Sequence, residues 1–336
     1  MSNQFPRFLV VGLGSIGQRH LGNLRQLVPD SRIAALRHRP DSVAVPGCDL
    51  QLHDMDEVSS FAPDAAIIAG PASTHIPAAL ALAGMGVPLL IEKPISDSTD
   101  GLTQLIQAVE GRGLVAMIGY NLRFKRSLAR VRQLVDGGSI GQVLAVRAEV
   151  GQYLPDWRPS SDYRRTVSAQ AGLGGGALLE LSHEIDYLYW LFGMPARVTC
   201  RGGKLSELEI DVEDVVELCM EYDSPKRLVS VHLDFVQRVP YRGCRFVGTE
   251  GTLVWDGIGD VVTLLHPGAE PRHEQLATAD RNETYVAELE HFLECIRLGR
   301  KPDIDLRSGY DVLAIVESAK RSLHNATIER PMPYAC

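Results

Sequence analysis

The sequence has no long apolar run. No stretch of it approaches the ~18 consecutive apolar residues read as a membrane span, and the N-terminal MSNQFPRF has no basic segment followed by an apolar one. Neither a span nor a signal peptide is expected, and a cytoplasmic location follows by default. Paired cysteines are missing too. Cys48, Cys200, Cys219, Cys244, Cys295 and Cys336 form no CxxC pair and have no histidine cluster near them. That excludes zinc-ligand spacing, makes a disulfide framework unexpected at this length, and leaves reduced, mostly buried thiols. No Lys/Arg run offers nucleic acid a surface, and the formal net charge is −8. Repeats and low-complexity segments are absent. What remains, 45% apolar and 23% charged over 336 residues, suits a soluble globular protein of two domains.

The first 120 residues alternate short apolar runs with helical patterns. Phe8–Val11, Ile33–Leu36, Ala65–Ala69, Pro88–Ile91 and Leu114–Ile118 read as strands, and Ile16–Leu27, His75–Ala83 and Leu102–Val109 as helices. This βαβαβ order predicts a doubly wound parallel sheet covered on both faces. The pattern then changes. A helix over Phe124–Val135, stopped by Gly137-Gly138, precedes a strand over Gln142–Val150, a long loop from Gly151 to Gly176, and one helix over Leu178–Leu191 closed by Gly193. Strands with turn signals fill Ala196–Leu265, and helices near Glu283–Leu298 and Ser308–Leu323 finish the chain. The expected fold is α/β: a Rossmann domain over 1–120, then an α+β domain over 121–336 with an open, mostly antiparallel sheet. The C-terminal helix is free to pack back on the first domain.

The sharpest local signal is Gly12-Leu13-Gly14-Ser15-Ile16-Gly17, set directly after an apolar strand and opening a helix. Gly12 permits the tight turn, Gly14 lets the backbone approach a pyrophosphate at the positive end of the helix, and Gly17 lets helix and strand pack closely. A glycine-rich turn that binds nothing is the bland alternative. About 20 residues further on, an NAD-selective site carries a carboxylate for the ribose 2′-OH. Here Arg37 and Arg39 stand instead, where a 2′-phosphate would lie, and guanidinium groups clamp such a phosphate. NADP is therefore favoured over NAD, with a solvated basic turn as the alternative. Glu92-Lys93-Pro94 ends the strand before residue 93, where parallel sheets bind ligands; a solvated loop lysine fits the position equally well.

Taken in order, GLGSIG, Glu92-Lys93-Pro94, Gly119-Tyr120-Asn121-Leu122-Arg123-Phe124, and Gly174-Gly175-Gly176 leading to His183 and Asp186 resemble the Gfo/Idh/MocA oxidoreductase family over nearly the whole chain. The stretch from Gln152 through Asp162-Tyr163-Arg164 is similar to a subgroup linked to surface-sugar biosynthesis. The resemblance implies that Lys93 lies between the nicotinamide ribose and the reacting carbon, and that His183 takes the substrate's hydroxyl proton. It implies that Pro71, Ser73 and His75 belong to the loop passing the cofactor's ribose, and that Asn121 and Arg123 lie beside nicotinamide or substrate. Members usually carry Asp four residues before the histidine. Here Leu179 holds that place and Glu180 lies three before, on the same face if the helix is continuous. Glu180 is thus either a third catalytic group or a supporting carboxylate, His183 either the base or a structural histidine, and Asp186 a helix-face partner.

The expected chemistry is dehydrogenation of a secondary alcohol, or its reverse, on a sugar, sugar nucleotide or polyol. NAD(P) accepts the hydride, His183 the proton, and a protonated Lys93 stabilises alkoxide charge, with no metal. Tyr153, Trp157, Arg158, Tyr163 and Arg164 in the long loop offer aromatic faces and guanidinium forks to a sugar bearing a carboxylate or phosphate, or else form a dimer arm. Two other functions remain open: glycoside cleavage with transient use of NAD, and a non-catalytic dinucleotide sensor. A homodimer or homotetramer joined through the second domain's sheet is expected, on an apolar face that its own helices leave uncovered.

Overall fold

The computed structural model describes residues 6–37, 45–277, 280 and 282–335. The chain divides into two compact units, Met1–Asn121 with Asn282–Tyr310, and Leu122–Arg281 with Asp311–Cys336.

The first unit opens with β1 (Arg7–Val11), α1 (Ser15–Leu27), β2 (Arg32–Leu36), β3 (Leu50–Leu52) and α2 (Met55–Phe61). It continues through β4 (Ala65–Ile68), α3 (His75–Gly84), β5 (Leu89–Glu92), α4 (Leu102–Glu110) and β6 (Ala116–Gly119). The six strands form one parallel sheet in the order β3-β2-β1-β4-β5-β6. Every residue of β4, β5 and β6 is buried. That is why their sequences read as unbroken apolar runs rather than alternations. The strand order reverses beside β1, so the turns after β1 and β4 flank the switch point where open α/β sheets bind ligands.

Sequence patterning did not reveal β3 or α2. Leu50-Gln51-Leu52 is too short to carry a period. The start of α2 is written locally, however: Asp54 accepts the Glu57 N–H at 2.8 Å, and the Glu57 carboxylate reaches back to the His53 N–H at 2.7 Å. That reciprocal arrangement is close to a capping box.

The second unit contains α5 (Arg126–Asp136), β7 (Val143–Gly151), α6 (Ala177–Glu180) and α7 (His183–Phe192). Seven strands follow: β8 (Arg197–Gly203), β9 (Val215–Asp223), β10 (Lys226–Asp234), β11 (Tyr241–Gly248), β12 (Thr252–Asp256), β13 (Val261–Leu265) and β14 (Arg272–Gln275). They join β7 in an eight-stranded sheet ordered β14-β13-β12-β11-β7-β10-β9-β8. Among the described residues only β7 and β10 pair in parallel within this sheet. The inward positions Val146, Val231, Leu218, Phe246 and Trp255 are buried and form the core against α5, α6 and α7. The opposite face mixes charged with apolar side chains. Glu217, His232, Arg147 and Arg245 alternate there with exposed Leu228 and Val247. Returning to the first unit, α8 (Glu283–Leu298) packs on α1, and the boundary between units falls within α9 (Leu306–Asn325).

The long loop is built of 3-10 turns over Leu154–Trp157, Tyr163–Arg165, Val167–Ala169 and Ala171–Leu173, and one expectation needs correction. The apolar helix after it is two helices, α6 and α7. At the join the bonds shorten to an i−3 pattern, Ser182 N–H to Leu179 O and Glu184 N–H to Leu181 O. Apolar spacing cannot reveal such a break, because the buried stripe continues across it.

Candidate functional site

In the first unit the glycine turn joins β1 to α1. Gly12 has φ +86°, and a Cβ there would lie 2.9 Å from the Gly70 backbone; a Cβ on Gly17 would lie 2.0 Å from the Gly12 carbonyl oxygen. Both glycines are thus required by the chain's own packing. Gly14 is different: its backbone is extended, and a Cβ there would meet nothing within 4 Å among the described residues beyond its chain neighbours. It caps α1 without a side-chain hydrogen bond, and no acidic residue stands in the first turn. The first N–H groups, orphaned by helix geometry, therefore face a space that no side-chain cap fills, beside exposed Ser15 and half-buried Ile16. A dinucleotide pyrophosphate fits this arrangement.

The loop after β4 is braced from within. Thr74 Oγ1 donates to Pro71 O at 2.7 Å. His75 is 1% exposed, with Nε2 2.9 Å from Gly70 O and Nδ1 3.0 Å from Pro94 O. Burial pushes its pKa down. Its ring therefore ties the Gly70 loop to the Glu92-Lys93-Pro94 loop, while Pro71 and Ser73 keep accessible surface. Arg37, half-buried, follows β2 and donates its backbone N–H to Leu52 O at 2.9 Å. Arg39 lies outside the described residues.

Glu92 ends β5 and is buried. Its Oε1 lies 2.6 Å from His20 Nε2, and its Oε2 accepts the Lys93 backbone N–H at 3.2 Å. Lys93 itself is half-buried. Asn121 is 5% exposed and donates Nδ2–H to Thr284 Oγ1 at 2.8 Å, so that amine is turned to α8. Sequence reasoning passed over His20, three residues beyond Gly17, and Glu288 on α8. His20, Glu92 and Glu288 bring ligand-type atoms within 4.8 Å of one another, all three residues buried. The available signal was the position of His20 on the buried stripe of α1, where a polar residue needs a partner.

In the second unit His183 is the first residue of α7 and is half-buried. Glu180 ends α6, so the argument from one continuous helix face does not hold. Its Oε2 accepts from Ser168 Oγ at 2.7 Å. The glycine run before it is fitted to the fold: a Cβ on Gly175 would lie 2.4 Å from Val167 O, and one on Gly176, at φ +105°, 2.5 Å from Glu213 Oε1. Glu213, whose pKa burial raises, also accepts the Leu178 N–H at 3.0 Å.

Two buried acids of α7 are matched by arginines, Asp186 by Arg123 and Glu184 by Arg242, the latter at 2.8 Å. Arg123 thus has its guanidinium on Asp186 and 5% of its side chain exposed.

The long loop brings Trp157, Arg158 and Tyr163 together around a pocket completed by Leu154, Thr166 and Ser168. Trp157 packs edge-on against Phe235 and donates Nε1–H to Gln152 O at 3.1 Å. Tyr153 lies under the Arg238 guanidinium, 3.5 Å from the ring centre, and Arg164 is held by Asp162 and Glu209. Arg158 is exposed at the pocket's edge.

Two family models match. Residues 6–120 match the oxidoreductase family with an NAD-binding Rossmann fold named GFO/IDH/MocA, and residues 128–254 match the GFO/IDH/MocA C-terminal domain. An inositol 2-dehydrogenase of Rubrobacter xylanophilus is 26% identical over 97% of this chain and 94% of its own length. Among solved structures, a levoglucosan dehydrogenase in complex with NADH superposes with a TM-score of 0.86 at 19% identity, over 98% of this chain and 100% of that one. The WlbA dehydrogenase of Bordetella pertussis, in complex with NADH and UDP-GlcNAcA, superposes with a TM-score of 0.80 at 20% identity, over 99% and 100% of the two chains. At these identities the two structures bear on the fold. No helix among the described residues is long and apolar enough to cross a membrane.

Proposed function

The chain belongs to the Gfo/Idh/MocA family of NAD-binding oxidoreductases, and from that premise we propose that it moves a hydride between nicotinamide and a secondary alcohol or ketone of a sugar, sugar nucleotide or polyol. The observation that carries this reading is Gly14. It sits between two glycines that the chain's own packing demands, yet among the described residues nothing beyond its chain neighbours lies within 4 Å of its missing Cβ. A backbone-close pyrophosphate accounts for that glycine.

The dinucleotide supplies the hydride acceptor or donor; the chain supplies the charge and the proton path. Lys93, whose backbone N–H is held by Glu92, stabilises the alkoxide that forms as the hydroxyl proton leaves. His183, at the start of α7, receives that proton; imidazole titrates near neutral pH and suits the task. Glu180 acts as a support: its bond to Ser168 ties α6 to the loop that carries Trp157, Arg158 and Tyr163, the side chains offered to the sugar. Arg158 at its edge suits an anionic substituent. Arg37 after β2 favours NADP through its guanidinium. The outward face of the eight-stranded sheet, with Leu228 and Val247 exposed, is the surface through which copies assemble.

Incubation of the purified chain with NAD⁺ or NADP⁺ and a panel of inositols, hexoses and UDP-sugars tests the reading. Steady formation of reduced nicotinamide is expected on at least one class. Glycoside cleavage without net reduction would favour the lyase-like alternative, and tight dinucleotide binding with no turnover on any class would favour the sensor.

A further inference from the structure

Glu92 is held from four elements of the first unit. From α1, His20 Nε2 approaches its Oε1 at 2.6 Å; from the loop after β5, the Lys93 N–H reaches its Oε2 at 3.2 Å. From β6, Gly119 backs it so closely that a Cβ would stand 3.2 Å from its Oε2. From α8, Glu288 comes within the same 4.8 Å cluster, and the Tyr285 ring meets the His20 ring edge-on at 6.3 Å. His20 is 0% exposed, and its Nδ1 has no hydrogen-bond partner among the described residues. The hydrogen of the short contact therefore belongs on Nε2, with the carboxylate accepting. A histidine serving only to fill the core would not need a carboxylate whose second oxygen is engaged with the peptide of the neighbouring lysine.

We infer that His20 is a positioning residue for Lys93, acting through Glu92. Its N–H orients the carboxylate, the carboxylate fixes the peptide at Lys93, and the lysine is thereby tied to the helix whose first turn carries the phosphate-binding glycines. The inference rests on Lys93 being the charge that stabilises the alkoxide. Hydride transfer needs both ends of this link in register, since a displacement of about 1 Å at a reacting group can cost ~10²-fold in rate.

The test uses His20→Leu, which keeps bulk without a donor, and His20→Gln, whose amide N–H reaches where Nε2 does. Amide hydrogen exchange at Lys93 is read in the protein without substrate, together with NADH affinity, KM, kcat and melting temperature. In His20→Leu the Lys93 amide should exchange about tenfold faster or more, as expected when a local hydrogen bond is lost without global unfolding. Turnover should fall ~10- to 10²-fold, with KM and NADH affinity within about threefold. His20→Gln should recover most of both losses.

Unchanged Lys93 protection in His20→Leu overturns the inference. So does lost protection with full turnover, or failure of His20→Gln to recover either quantity. Should His20→Leu not fold, Glu92→Met reads the same amide, because its side chain offers neither His20 nor the Lys93 N–H a carboxylate; unchanged protection there is equally fatal. Lys93→Ala, run in parallel, separates the two readings. Full turnover in that variant refutes the catalytic role of Lys93, whereas the exchange data report on the His20–Glu92–Lys93 link in either case.

Discussion

Arg123 grips Asp186 with two nitrogens, Nη2 at 2.6 Å from Oδ1 and Nε at 3.0 Å from Oδ2, both side chains buried. Burial pushes the Asp186 carboxyl up against the opposing pull of the guanidinium. Losing either partner leaves a buried charge without compensation. Arg123→Met should therefore lower the unfolding free energy by ~3–5 kcal/mol. Arg123→Lys should restore only part, because an ammonium cannot reproduce the fork. Denaturant unfolding measures both, and a loss below about 1 kcal/mol would show that the pair does not anchor α7.

Gly14 and Gly17 should separate binding from folding. The extended backbone at Gly14 suits any residue, so Gly14→Val should fold normally while its NADH affinity, read by fluorescence titration, falls about tenfold or more. Gly17→Ala places a methyl 2.0 Å from the Gly12 carbonyl oxygen and should destabilise the unit itself. Wild-type affinity in Gly14→Val would remove the phosphate site from this turn.

Lys93→Ala and His183→Ala should each reduce turnover ~10²-fold or more with little change in cofactor affinity, and the double variant should lose less than the product of the two. Glu180→Gln should cost less, since its carboxylate is engaged with Ser168. Steady-state kinetics on the substrate found in the panel decides this. A His183→Ala enzyme that retains turnover would move the base to Tyr153 or Tyr163 of the long loop; Tyr163 lines the pocket there.

Cofactor choice is tested by Arg37→Asp. If its guanidinium meets a 2′-phosphate, NADP affinity should fall well beyond any change for NAD. Equal losses, or a wild-type preference for NAD, would reject the clamp.

His232 should make stability fall at alkaline pH. Its Nε2 lies 3.0 Å from Asp234 Oδ2 and its Nδ1 2.6 Å from Glu217 Oε1, and these carboxylates raise its pKa to about 9. The folded value is above the unfolded one of about 6.5. Its contribution is thus complete below that pH and is lost as pH climbs through the folded value. The wild-type melting temperature should decline from neutral pH towards pH ~9–10, and His232→Gln should flatten the decline. Parallel slopes would assign the effect to other groups.

Much of this protein is local in origin and therefore legible in its sequence. Gly17 is demanded by a turn and a helix contiguous in the chain, and the apolar runs of β4 and β5 follow from burial on both faces of a parallel sheet; Gly12 is set in part by the same turn, through its positive φ, and in part by the distant Gly70 backbone. The match to a family by spacing of short motifs belongs to the same kind of information. Other features depend on partners distant in sequence. The break between α6 and α7 leaves the apolar stripe intact, so periodicity read one helix and put Glu180 on the same helix face as His183; in the fold Glu180 ends α6, and its bond to Ser168, 12 residues earlier, was not visible in the sequence. The family resemblance implied that Arg123 lies beside nicotinamide or substrate, but gave no sign of its bond to Asp186, 63 residues away. His20 and Glu288 carried no motif, because their meaning comes from Glu92, 72 residues beyond His20 and on a different element. A sequence specifies which polar groups will be buried, since their neighbours along the helix are apolar. Which partner satisfies each of them is decided by the tertiary structure, because a buried donor or acceptor must find its hydrogen bond wherever the fold brings one within 3 Å or so.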